Sequence, residues 1–117
     1  MGRRSRQRGR ETLAATTSEY RDGDGNVLVL RGSLGAGARR EYAAILKGGL
    51  HREDAAQRAV EMLFERLARS WTIAGLQITS QKELLGRYRM ATGDERIFVR
   101  DSLREHLAEN FPELTAP

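Results

Sequence analysis

The amino-acid sequence predicts a mainly α-helical α+β fold, in which a short N-terminal β-hairpin precedes a compact bundle of about four helices. Three observations support this class. Residues 53–71 carry apolar side chains at the three- and four-residue spacing of one helix face. Capping-box patterns at Ser80 and Thr92 mark two further helix starts. Two Asp-Gly pairs at residues 22–25 separate two strand-like segments, as in a hairpin.

The hairpin is predicted to pair residues 16–21 with residues 27–30. Its turn contains two glycines, which adopt positive φ angles at little cost. The run Val27-Leu-Val-Leu30 combines β-branched and large apolar side chains, which suits a mostly buried strand. The second strand is therefore the better supported of the two.

A glycine-rich loop over residues 31–37 leads to a helix predicted over residues 38–47. Gly48 and Gly49 form a typical helix stop. The longest amphipathic pattern then predicts a helix from residue 53 to about residue 70, which is the best-supported element of the chain.

Residues 71–78 read as a short extended or hairpin elbow, with a turn at residues 74–75. Two helices follow over residues 81–91 and 94–110, because each begins at a hydroxyl cap with a Glu three residues later. The predicted core is Val27, Val29, Tyr42, Leu46, Val60, Leu63, Phe64, Leu67, Trp71, Leu84, Leu85, Ile97, Leu103 and Leu107.

The chain of 117 residues is predicted to have a disordered, Arg-rich arm over residues 1–15 and a single globular domain over residues 16–114. The formal net charge of +4 belongs to the arm, which holds five arginines within its first ten residues. Residues 11–117 have 15 basic and 16 acidic residues, so the expected domain is close to neutral.

Composition also excludes several classes of site. The chain has no cysteine, so disulfides and thiolate metal sites are excluded, and a reducing cytoplasm is the expected location. No stretch approaches the roughly 20 apolar residues of a transmembrane helix. The basic N-terminus lacks the apolar run of a secretory signal. No contact with a membrane is therefore expected.

Asp22-x-Asp24-x-Asn26 resembles the start of a calcium-binding loop. An EF-hand loop has Gly at the next position and Glu at the twelfth, where this chain has Val27 and Ser33. Both requirements fail, so the pattern indicates a hairpin turn.

Other candidate sites have equally plain interpretations. The glycines of residues 32–37, with Arg31 and Arg39 nearby, could hold an anion at a helix N-terminus, but they lack the Gly-Lys-Ser/Thr ending of a phosphate loop. His51 and His106 have no partner at the spacing of a metal or catalytic site, and we expect them to be solvated or partly buried. We therefore expect no catalytic residue, metal or cofactor, and no enzymatic activity.

The Arg-rich arm supports a nucleic-acid-binding alternative. Arginines neutralise phosphates and release counterions, and the arm contains no aromatic residue that could stack on bases. The last predicted helix is rich in Asp and Glu, which disfavours its use as a recognition helix. The candidate residues for this alternative are Arg3, Arg4, Arg6, Arg8 and Arg10.

The elbow supports a protein-binding interpretation. Trp71 could anchor a partner, since Trp is common at interface hot spots, but it also continues the apolar stripe of the preceding helix, which favours a core position. Ile73, Leu76 and Ile78 follow at spacings of two or three residues and could expose apolar surface to a partner or to a second copy of the chain.

The order of these elements resembles the small tail assembly chaperones of long-tailed bacteriophages and prophages. The similarity covers about residues 22–114. It rests on the strand exit at Gly25–Arg31, the pattern Phe64-x-x-Leu67-x-x-x-Trp71, the elbow Ile73-x-Gly75-x-x-Ile78 and the helix start Lys82-Glu-Leu-Leu85. Gln77 departs from the pattern, because proline is frequent there, and the Arg-rich arm is no part of it.

The resemblance implies a non-enzymatic factor that binds the long helical tape-measure protein and keeps it soluble until the tail tube assembles around it. It also implies a location in the cytoplasm of the bacterial host. Two alternatives remain open, namely nucleic-acid binding through the arm and a structural head or tail component that stays in the virion.

Overall fold

The computed structural model describes residues 16–48 and 51–117 of the chain. Within these two ranges the backbone forms four strands and four helices. In chain order they are β1 (Thr17–Arg21), β2 (Val27–Arg31), α1 (Ala36–Gly48), α2 (Arg52–Leu67), β3 (Ala68–Ile73), β4 (Leu76–Ile78), α3 (Gln81–Arg89) and α4 (Gly93–Asn110). The predicted α+β class, with an N-terminal hairpin followed by helices, is confirmed. The predicted arm of residues 1–15 lies outside the described residues.

The strands form one antiparallel sheet in the order β1-β2-β3-β4. The predicted elbow is a complete hairpin, and its first strand, β3, pairs with β2 so that Trp71 lies opposite Leu28. The helix that was predicted to reach about Ser70 ends at Leu67, because the backbone from Ala68 onwards pairs with β2. A distant strand therefore sets the end of α2.

The turn between β1 and β2 is held by the side chain of Asp22. Its carboxylate accepts hydrogen bonds from the backbone N–H groups of Asp24 (2.9 Å) and Asn26 (3.0 Å) and from the Asn26 side chain (2.9 Å). Burial alone would raise the pKa of Asp22, but the hydrogen bonds from Asn26, Asp24 and Gly25 outweigh it and lower that pKa. The carboxylate is thus engaged in the predicted hairpin turn.

The helices cover one face of the sheet. Tyr20, Leu28, Leu30 and Trp71 are buried on this face, and the ring of His106 from α4 meets Tyr20 at right angles. Val27 and Val29 were predicted to lie in the core, but they are only half-buried, because they alternate with Leu28 and Leu30 and so point to the opposite face. In a run of four apolar residues the sequence does not distinguish the two faces.

Most of the remaining predicted core is confirmed. The predicted residues of α1, α2, β3, α3 and α4 are buried or packed partly against the core, except for Ile97. Ile97 is 60% exposed, since it precedes the buried Val99 by two residues and so lies about 200° from it around α4. The buried residues that continue this face of α4 are Ser102, Leu103, His106 and Leu107.

The starts of α3 and α4 are capped by the predicted hydroxyl side chains. The predicted capping box forms at Thr92, whose hydroxyl accepts from the N–H of Glu95 (3.2 Å) while the Glu95 carboxylate accepts from the N–H of Thr92 (2.9 Å). At Ser80 the structure shows the hydroxyl half of such a box. After α4, the buried Phe111 turns the chain back towards α1, where Tyr42 donates to the carbonyl of Thr115.

Candidate functional site

The four side chains predicted to bind a partner all lie on the β3–β4 hairpin, with Trp71 opposite Ile78 and Ile73 opposite Leu76. Trp71 is only 1% exposed, so its core interpretation is confirmed, although it packs from a strand rather than from a helix end. Ile73 and Ile78 are partly buried against the core, whereas Leu76 is 69% exposed. A partner would therefore meet this hairpin at Leu76.

Trp71 is enclosed by aromatic and cationic groups. The ring of Phe64 meets the indole edge-to-face at a centroid distance of 5.7 Å, and the guanidinium of Arg87 lies 5.5 Å from the centroid of the indole ring. The buried indole Nε1 has no hydrogen-bond partner among the described residues. These contacts assign Trp71 to packing rather than to recognition.

The five arginines of the nucleic-acid alternative, at positions 3, 4, 6, 8 and 10, lie outside the described residues.

A groove of about 530 Å³ lies between the N-terminal halves of α2 and α4. We refer to it as the α2–α4 groove. Its floor consists of the buried Val60 and Tyr88 and the partly buried Ala56, and the exposed Ile97 stands on its rim. A groove with an apolar floor between two helices can receive the apolar side chains of another amphipathic helix.

The two walls of the groove carry opposite charge. Arg96 and Arg100 project from α4, whereas α2 contributes Glu53 and Asp54 beside Arg52. The two carboxylates lie in the first turn of α2, where the helix dipole favours negative charge. The groove is therefore polarised across its width, with a basic wall on α4.

Arg96 is held in place by neutral groups. Its guanidinium donates to the carbonyl oxygens of Arg89 (2.9 Å) and Ala91 (3.4 Å) and lies 5.1 Å from the centroid of the Tyr88 ring. Burial raises the pKa of Tyr88, so its phenol stays neutral beneath the guanidinium. The position of Arg96 is thus fixed while its charge is not neutralised by these contacts.

Large apolar side chains are exposed at three places in the described part of the chain, namely Leu76 (69%), Met90 (82%) and Ile97 (60%). Met90 and Ile97 were not among the residues predicted to bind a partner. The sequence does contain a signal for Ile97, because it lies off the apolar stripe formed by Val99, Leu103 and Leu107.

The two histidines have different environments. His51 is exposed ahead of α2, in agreement with the sequence-based expectation, whereas His106 is completely buried rather than partly so. The Nε2 of His106 lies 2.7 Å from the carbonyl oxygen of Arg31, which can only accept, so Nε2 carries the proton. Its Nδ1 then accepts from the hydroxyl of Tyr20 at 2.8 Å. His106 therefore joins α4 to β1 and β2.

The Tyr20 hydroxyl remains protonated over the whole neutral range. Burial, followed by the nearby charge of Glu109, raises the pKa of Tyr20 to about 12. The hydrogen bonds around His106 accordingly connect α4 to the first hairpin and have a structural role.

The glycine-rich loop, which was a candidate anion site, has a structural role. Gly32 donates its N–H to the carbonyl of Thr16, and the Arg39 side chain donates to the carbonyl of Leu34, so the glycine-rich loop joins β2 to α1. Among the described residues, no group of three or more His, Cys, Asp or Glu side chains is arranged to hold a metal ion. None of the helices in this part of the chain combines the length and the apolar character needed to cross a membrane.

Comparisons of the chain with protein families, with curated proteins and with solved structures find no match.

Proposed function

We propose that this protein is a non-enzymatic assembly factor of a bacteriophage or prophage tail, which binds a long helical, tape-measure-like protein and keeps it soluble. The order of sequence elements over residues 22–114 supports this proposal through its resemblance to tail assembly chaperones. The structural support is independent of that resemblance and comes from the distribution of apolar surface.

The observation that carries the proposal is the α2–α4 groove. Its apolar floor of Ala56, Val60 and Tyr88 is open, and Ile97 extends the apolar surface onto the rim. A monomeric domain gains no stability from leaving a residue such as Ile97 60% exposed. Binding the apolar stripe of another helix would use this surface.

A long amphipathic helix has a periodic apolar stripe, and one groove of this size covers only a short part of it. Several copies bound along one rod would shield the stripe through many weak contacts. Each contact would be readily reversible, since the free energy of burying a small apolar area is largely offset by the entropy of association. Tail-tube subunits could then displace the bound copies during assembly.

Co-expression with a long helical protein from the same genome, followed by affinity capture, tests this proposal. We expect a complex that survives washing when the salt is raised from about 0.1 M to about 1 M, because apolar contacts are not screened by ions. Ile97→Asp and Leu76→Asp should each reduce the captured partner. Ala108→Asp, on the exposed face of α4 and outside the groove, is the matched control.

The same experiment separates the alternatives. Nucleic acid that co-purifies and is released by salt, with no protein partner, would contradict the proposal and favour the Arg-rich arm. Recovery of the protein in purified virions would instead indicate a structural component of the particle.

A further inference from the structure

We infer that the α2–α4 groove selects a partner helix that carries carboxylates along one flank of its apolar stripe, placed against the basic wall of α4. This inference rests on the proposed function and adds to it the charge pattern of the bound segment.

The charges in the groove are not paired with one another. Ion pairs within the described residues join other side chains, for example Arg87 to Glu95 and Arg89 to Glu61. In that part of the chain no ion pair within 4 Å includes any of the charged groove residues. Those residues are Arg52, Glu53, Asp54, Arg96 and Arg100.

The basic wall is also preorganised. Two backbone carbonyls and the face of Tyr88 hold Arg96 in position, so little side-chain freedom remains to be lost when a carboxylate binds it. Arg100 lies one helical turn further along α4 and lines the same groove. Two arginines at this spacing match two carboxylates one turn apart on a partner helix.

The α2 wall of the groove determines which charge is favoured on the other flank of the partner helix. Glu53 and Asp54 outnumber Arg52 there, so basic or neutral residues are favoured on that side. A partner helix with acidic residues on both flanks would be repelled by this wall. A helix with basic residues on both flanks would be repelled by Arg96 and Arg100.

The probes are three synthetic helical peptides of about 18 residues, or five turns, that share one Leu stripe. The first has Glu on one flank and Lys on the other, the second has Lys on both flanks, and the third has Glu on both. Affinity for the full chain is measured by fluorescence anisotropy. We expect the Glu/Lys peptide to bind roughly threefold to tenfold more tightly than either of the others.

Arg100→Glu should abolish the preference for the Glu/Lys peptide over the Lys/Lys peptide, or reverse it. The matched control is Arg58→Glu, which makes the same charge change at an exposed position of α2 outside the groove and should retain that preference. Ile97→Asp should weaken binding of all three peptides. Far-UV circular dichroism of each variant confirms that the helices are intact.

Four results would overturn the inference. The Lys/Lys peptide could bind as tightly as the Glu/Lys peptide. The Glu/Glu peptide could bind most tightly of the three, which would show that affinity follows the total negative charge of the peptide. Alternatively, sedimentation could show a dimer that Ile97→Asp dissociates, which would make a second copy the occupant of the groove. If the long helical partner is captured while Arg100→Glu has no effect on it, this inference fails and the proposed function stands.

Discussion

At the scale of single residues, His106 shows how a polar side chain can be fully buried and still stabilise the fold. Its two ring nitrogens bond the Arg31 carbonyl and the Tyr20 hydroxyl, so the imidazole leaves neither nitrogen without a partner. The side chain therefore connects the last helix to both strands of the first hairpin. From sequence, the same residue is a histidine beside an apolar stripe, with nothing local to indicate a strand partner.

We predict that His106→Leu lowers the free energy of unfolding by about 2 to 4 kcal/mol, because the substitution removes the hydrogen bonds that the fully buried imidazole makes with the Arg31 carbonyl and the Tyr20 hydroxyl. Tyr20→Phe removes the hydrogen bonds of the Tyr20 hydroxyl to His106 and, at 3.5 Å, to Glu109, and should cost about 1 kcal/mol. Urea denaturation followed by circular dichroism measures both values. Equal stability of His106→Leu and the parent protein would refute the structural role of His106.

Glu95 provides a pH-dependent test at the same scale. The hydrogen bond from Arg87, followed by the N–H of Thr92, lowers the pKa of Glu95 below its ordinary value of 4.5. A lowered pKa in the folded state means that the folded protein prefers the ionised carboxylate, so this contribution is present above pH 4.5 and is lost as the pH falls below it.

We predict that Glu95→Gln destabilises the protein by about 1 kcal/mol at neutral pH, the typical value of a helix cap. The difference from the parent protein should shrink as the pH falls through the acid range. Thermal unfolding at a series of pH values measures it. A difference that is constant with pH would show that the charge of Glu95 does not contribute.

At the scale of elements, the predicted turn of the β3–β4 hairpin contains an alanine, Ala74, at a positive φ angle that alanine adopts unfavourably. Ala74 has a φ of +51° and Gly75 has a φ of +82°. Two consecutive positive φ angles are typical of a type I′ turn, in which Asn-Gly is the favoured pair. The turn is also joined to the first hairpin, because the N–H of Ala74 donates to the Asn26 side chain at 3.0 Å.

We predict that Ala74→Asn raises the free energy of unfolding by about 0.5 to 1 kcal/mol, because Asn adopts positive φ more readily than Ala. Gly75→Ala places a β-carbon at the second positive φ and should destabilise the protein by at least as much. Chemical denaturation of the two variants measures these opposite effects. Destabilisation by Ala74→Asn would contradict the turn geometry.

The elements themselves were largely predictable, because their signals are local. The turns at residues 22–26 and 74–75, the caps of α3 and α4 and the stripe of α2 all depend on residues within a few positions of one another. The prediction of which face of β2 is buried was wrong, because the residues on both faces of this strand are apolar. Ile97 was misplaced because an apolar residue in an amphipathic helix was assigned to the core without regard to its angle around the axis.

At the scale of the whole molecule, the pairing of β2 with β3 creates the fold. It joins the two hairpins into one sheet, ends α2 at Leu67 and gives the helices a common face to cover. About forty residues separate Leu28 from Trp71, and no local rule selects one strand partner over another at that distance. This is why an isolated elbow was predicted where the structure has half of a sheet.

The candidate site emerges at this scale as well. The α2–α4 groove takes its floor and walls from α2, α3 and α4. The residues of α2 that face α4 across the groove are therefore distant from it in sequence. The predicted elbow site contributes Leu76 as its accessible residue, whereas Ile97, assigned to the core from sequence, lies on the rim of the groove. Amphipathic patterns predict which residues a helix buries, but not where two packed helices leave a groove.

The proposed role of this protein is to keep a long helical partner in solution through apolar contacts. The most direct measurement is the soluble fraction of a tape-measure-like protein expressed alone, with the parent protein, and with Ile97→Asp. We predict that the parent protein raises the soluble fraction and that Ile97→Asp raises it much less, while folding to within about 0.5 kcal/mol of the parent because the substituted side chain is exposed. An unchanged soluble fraction with the parent protein, or equal solubilisation by Ile97→Asp, would contradict the claim.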